Sequence, residues 1–170
     1  GLDKVDLINK DILTLIYFLF VFLCFNIFSK SFFGDSGSYL ASIILGIYCI
    51  NIINYYEFLM SPFLIALLLW YPALENLFSI IRRTIIDKKS VNKADNLHLH
   101  HLINKFLSKY FENNKINNPL TGLLINGVIF LFIMVGINFP NHTNTLVILI
   151  LIKSAIYIAI YFYLKKIIYE

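Results

Sequence analysis

Residues 12–29 read ILTLIYFLFVFLCFNIFS without a single charged side chain, and four further stretches of the chain are similarly apolar, with at most one charge each. Runs like these cannot lie on the surface of a soluble domain, where a helix sets an apolar stripe against a polar face. About 20 consecutive apolar residues in a helix match the roughly 30 Å hydrocarbon core of a bilayer. Inside lipid the backbone has to satisfy its own hydrogen bonds, which a helix does within the segment. Strands of a membrane barrel would be shorter and would alternate in polarity, and these runs do not. Composition agrees: 59% of the residues are hydrophobic and 14% charged, where a soluble domain carries about 25% charged residues. The expected fold is all-α, a polytopic membrane helix bundle.

Five transmembrane helices are expected, at about 12–29, 39–56, 62–81, 119–139 and 145–164. The third begins at Pro62, a residue suited to a first helical turn. Glu75 and Lys153 lie inside spans and are candidates for a buried pair; ionisable residues there mark function by default. Five spans put alternate connections on opposite sides. The segments 29–38, 82–118 and the tail after Leu164 hold eleven Lys and Arg, whereas the other side holds only Lys4 and Lys10. The excess assigns the first set to the cytoplasm. The net charge of +4 is then a topological signal and gives no reason to expect nucleic acid. Cys24 and Cys49 sit within apolar runs, where they act as small hydrophobes. The chain opens on Gly1 with no initiator Met and no secretory leader, so it is expected to be the C-terminal part of one longer transmembrane domain.

From Leu99 the apolar residues recur as Leu99, Leu102, Ile103, Phe106, Leu107, Tyr110 and Phe111, the three-and-four spacing of a helix. A cytoplasmic amphipathic helix is expected there, lying in the membrane interface with His101, Lys105 and Lys109 on its polar side.

Two cytoplasmic segments carry the residues suited to chemistry, in the loops 29–38 and 82–118. The first contains Gly34-Asp35-Ser36-Gly37-Ser38. Its glycines allow close approach of backbone to a ligand, and its hydroxyls and N–H groups suit phosphate oxygens. Asp35 suits Mg²⁺ held against a phosphate. The same residues also suit a helix cap and tight turn. The second is Asp95-Asn96-Leu97-His98-Leu99-His100-His101. His98 and His101 are one helical turn apart. Imidazoles serve hydrogen bonding to phosphate and proton transfer near neutral pH, zinc binding where further ligands are at hand, or simply a polar helix face. His142, in an outer loop, has no such company.

In order along the chain stand FFGDSGSY, PALENLFSIIRR and ADNLHLHHL. This set resembles the polyprenyl-phosphate N-acetylhexosamine-1-phosphate transferases, glycosyltransferase family 4, and the match runs from about Phe32 to Leu102. The resemblance implies Asp35 as the Mg²⁺-associated aspartate, with Gly34, Ser36, Gly37 and Ser38 around the substrate. It implies His98, His100 and His101 as the histidine motif near the nucleotide-sugar diphosphate, and Glu75, Arg82, Arg83 and Asp95 as substrate-binding positions. The implied reaction moves an N-acetylhexosamine 1-phosphate from a UDP-sugar such as UDP-N-acetylglucosamine to undecaprenyl (polyprenyl) phosphate, at the cytoplasmic face of the plasma membrane. It would start a cell-envelope glycan of the lipopolysaccharide O-antigen or teichoic-acid kind. The phospho-N-acetylmuramoyl-pentapeptide branch has three consecutive histidines, which Leu99 interrupts here, and ranks second. Full members also carry an Asp-Asp pair upstream, absent from this chain, so the piece alone is expected to be inactive. Oligomers are open. From another class, a small transporter or channel subunit would account for Glu75 and Lys153.

Overall fold

The computed structural model describes residues 2–28, 30–56, 58–88, 97–111 and 114–169. Asp95, with residues 89–96 around it, therefore lies outside the described residues. Every element among those described is helical: α1 (Leu2–Ile27), α2 (Gly34–Tyr55), α3 (Pro62–Leu68), α4 (Trp70–Ile81), a π-helical turn (Arg82–Ile86), α5 (Leu99–Ser108), α6 (Asn114–Ile137) and α7 (Thr143–Tyr169). Four of them, within Lys10–Ile27, Gly34–Tyr55, Ile116–Ile137 and Thr143–Tyr169, are long and apolar enough to cross a membrane. Their large apolar side chains stay exposed, Phe20 at 61% and Leu131 at 66% for example, which is the surface a membrane protein presents to lipid.

The chain falls into two compact units, Gly1–Tyr55 and Tyr56–Glu170. In the first, α1 and α2 are joined by a turn that Phe33 closes. Its ring meets Phe22 edge-on at 4.3 Å between centroids. Gly37 makes room for it, since a Cβ there would come within 3.0 Å of the Phe33 ring. The apolar run put the start of the second helix at Tyr39, but it starts at Gly34, whose φ of +63° is one that glycine tolerates. Hydropathy marks where lipid begins, and polar residues extend a helix past that point. Within this turn Ser38 Oγ donates to the Gly34 carbonyl at 2.8 Å and Ser42 Oγ to the Ser38 carbonyl at 2.7 Å, the i−4 bonds by which serine satisfies its hydroxyl inside a helix.

In the second unit, the expected span 62–81 is two helices. Ser61 caps α3, its Oγ accepting from the Phe63 N–H at 3.3 Å. The axis then bends by 69° between α3 and α4. Pro72 accounts for the break: it has no N–H for the Leu68 carbonyl, and its ring clashes with that carbonyl in a continuous helix. At the start of α3 the Ser61 N–H donates to the Pro140 carbonyl at 2.7 Å, and Ser61 Oγ lies 2.9 Å from Thr143 Oγ1 at the start of α7. At the far end, Asp87 Oδ1 lies 3.8 Å from Lys165 Nζ near the end of α7. The bent pair thus runs from one end of α7 to the other. Gly136 lets α3 close on α6, because a Cβ there would meet Leu67 Cδ2 at 2.7 Å.

The amphipathic helix forms over Leu99–Ser108. Leu99 and Leu102 join Trp70, Tyr157, Tyr161 and Leu164 in the core, so this helix buries its apolar face largely in the bundle where the interface was expected. Two lysines fasten it to the end of α7. Lys105 Nζ donates to the Tyr169 hydroxyl at 2.6 Å and Lys109 Nζ to the Ile167 carbonyl at 3.0 Å, a cation on the negative end of a helix.

Candidate active site

Glu75, Ser79 and Arg82 are spaced four and three residues apart, so they share one face of α4 and its π-helical extension. That face turns inward: all three are buried. Glu75 Oε1 accepts the Leu99 N–H at 2.9 Å, the first residue of α5, and lies 3.0 Å from His98 Nδ1. Ser79 Oγ lies 3.1 Å from the same ring nitrogen. A carboxylate at the start of α5 takes up an N–H that the helix cannot bond itself and complements the positive helix end. A carboxylate oxygen in its ionised form can only accept, so an ionised Glu75 would take the hydrogen of this contact from His98 Nδ1. The Tyr71 and Tyr157 hydroxyls and Glu75 Oε2 are buried with no hydrogen-bond partner among the described residues.

The three imidazoles expected to work together are gathered. The His98 and His100 rings stack 5.5 Å apart, and His100 and His101 are 4.2 Å apart. Burial lowers the His100 pKa from 6.5, with the neighbouring His101 adding to the shift and Glu75 opposing it. His100 is thus held toward its neutral form.

The basic pair is placed just past α4. The Asp87 N–H donates to the Arg82 carbonyl at 2.8 Å, the five-residue step of a π-turn, and this wider turn buries Arg82 and Arg83 together. The Arg82 guanidinium pairs with Asp87 and lies 6.0 Å from the Tyr161 ring centroid. Asp87 and Ser79 were not among the expected site residues. Ser79 was legible, since it falls one helical turn after Glu75, whereas Asp87 reaches the site only through the π-turn.

Glu75 and Lys153 do not form the pair the sequence offered. Lys153 Nζ donates to the Leu67 carbonyl at 3.3 Å and faces Trp70, 4.7 Å from its ring centroid. Gly34, Asp35, Ser36, Gly37 and Ser38 form the first turn of α2, in the other unit, with Asp35 exposed. Among the described residues no set of three His, Cys, Asp or Glu side chains is arranged to hold a metal ion. Mg²⁺ needs only one or two carboxylates when phosphates and waters complete its shell, so Asp35 fits as a single protein ligand. Beside Trp70, Tyr71 and Tyr157 a half-open apolar cavity of about 300 Å³ extends between α5, α6 and α7.

Compared with protein-family models, with curated proteins and with solved structures, the chain matches none of them.

Proposed function

We propose that this chain is the C-terminal part of a phospho-glycosyltransferase that moves an N-acetylhexosamine 1-phosphate from a UDP-sugar to polyprenyl phosphate. A phosphate oxygen of the lipid attacks the β-phosphorus, the bond to the α-phosphate oxygen breaks, and UMP leaves. The observation that carries this reading is the histidine cluster held through His98 on Glu75, whose α4 face continues into the π-turn that buries Arg82 and Arg83. Phosphoryl transfer is governed by positioning and charge neutralisation, which such a set can supply. The Glu75 carboxylate fixes the orientation of the His98 ring through Nδ1, and an imidazole so held suits hydrogen bonding to phosphate. Arg82 and Arg83 bring positive charge toward a diphosphate. Bound Mg²⁺ would neutralise phosphate charge, with Asp35 as its protein ligand. A site at the cytoplasmic surface of the plasma membrane suits a soluble donor and a lipid acceptor.

We further infer that α3 and α4 make one broken crossing, giving five in all. The contacts of Ser61 with Thr143 and of Asp87 with Lys165 support this, because α7 advances about 33 Å between those residues at 1.5 Å per residue, close to the roughly 30 Å of a hydrocarbon core.

The test uses membranes containing the complete protein, polyprenyl phosphate and Mg²⁺, with UMP release read for each donor. UDP-N-acetylhexosamines are expected to release UMP. Release only with the N-acetylmuramoyl-pentapeptide donor would move the protein to the peptidoglycan branch, and release with neither would overturn the transferase reading.

A further inference from the structure

Lys153 is buried in the apolar helix α7, 1% exposed. A charge in such a place is costly in lipid and is kept where a partner needs it. Its partner is backbone. The Nζ donates to the Leu67 carbonyl at 3.3 Å, one residue before the end of α3, and lies 4.7 Å from the Trp70 ring centroid and 5.8 Å from that of Phe132. Among the described residues Lys153 has no carboxylate partner.

The location matters because α3 ends there, within the apolar run 62–81. The last carbonyls of a helix have no partner within it and carry the negative end of its dipole. The Ile65 carbonyl is taken by the Leu69 N–H at 2.9 Å. Pro72 removes the N–H that would have served Leu68 in a continuous helix. We propose that Lys153 is a positioning residue that holds the break open: its ammonium caps the interrupted end of α3, stabilises the 69° bend, and so sets the direction in which α4 carries Glu75 toward α5. The Trp70 ring, the first residue of α4, lies against the same ammonium, so the cation contacts both sides of the break. This inference stands on the break itself and is independent of the transferase reading.

The complete protein, with Cys24 and Cys49 replaced by Ser, is reconstituted in nanodiscs with spin labels at positions 63 and 85. These flank the break and are exposed. In Lys153→Met the labels are expected to move apart as the bend opens, by at most about 4 Å, the value for a straight helix at 1.5 Å per residue. Lys153→Arg, which restores the cation, is expected to keep the original distance. An unchanged distance in a folded Lys153→Met overturns the proposal. If that variant does not fold, Pro72→Ala is added. With the helix allowed to run straight, the carbonyls need no cap, and folding yield is expected to recover at least in part. Equal loss in both backgrounds overturns the proposal as well.

Discussion

Glu75 Oε1 lies 2.9 Å from the Leu99 nitrogen, so one buried carboxylate ties the middle of α4 to the first residue of α5. These residues are 24 apart in sequence. Through this tie, and the 3.0 Å approach to His98 Nδ1, the direction of α4 determines where the histidine cluster begins.

Glu75→Ala should leave the buried Leu99 N–H without its acceptor and lower stability by about 1–3 kcal/mol, the usual cost of orphaning a buried donor. Glu75→Gln keeps a carbonyl oxygen for Leu99 and should lose less. Unfolding in detergent measures both. Equal stability of the Ala variant and the parent would show that α5 docks without this tie.

His100 predicts a pH dependence. Its pKa is lowered from 6.5 by burial and by His101, so the folded protein binds fewer protons there than the unfolded chain. Stability from this group is fully present above about pH 6.5 and is lost as pH falls through its folded pKa. The melting temperature should drop between pH 7.5 and 5.5, and His100→Gln should flatten that drop. A parallel drop in the variant would place the sensitivity elsewhere.

Gly136 should tolerate size poorly. Its Cβ position is 2.7 Å from Leu67 Cδ2, the far end of a flexible side chain, so Gly136→Ala should cost little. Gly136→Leu must push α3 from α6 and should cost about 1–3 kcal/mol, the range for overpacking. Thermal unfolding of the two variants reads the difference.

Asp35 should matter to turnover and hardly to folding, because it is exposed at the start of α2. In the complete protein, Asp35→Asn should cut UMP release by roughly 10²-fold or more, as loss of a charge-stabilising group does, while membrane insertion stays normal. Near-normal turnover would remove the metal role.

Topology can be read with single cysteines at positions 30, 58, 141 and 165. In intact cells, an impermeant thiol reagent should label 58 and 141 and spare 30 and 165. Labelling of 30 and 141 with sparing of 58 and 165 would mean that α3 and α4 enter and leave on one side.

The helices were legible because their cause is local. An uncharged run such as residues 12–29 needs no partner to be recognised, and the spacing from Leu99 to Leu107 gave α5 directly. Pro72, in the middle of the third run, carried the signal for the break at Leu68 and Leu69. The histidines were legible as a cluster because they are neighbours in sequence.

Other features depended on residues far apart along the chain. That Lys153 meets the Leu67 carbonyl and not Glu75, and that Glu75 meets Leu99, follows from how α3, α4, α5 and α7 pack, which no local period encodes. The first turn of α2 illustrates the same limit on a small scale. Gly34 to Ser38 look like a loop by hydropathy, yet they form the first turn of α2, in which the Ser38 hydroxyl donates to the Gly34 carbonyl. Sequence determined which segments are apolar and helical, because each residue's transfer to lipid and each helical turn are settled within a few positions. The tertiary structure decided which buried charge serves which backbone group, because a buried polar group takes the nearest partner of good geometry, and that partner is brought to it only by packing.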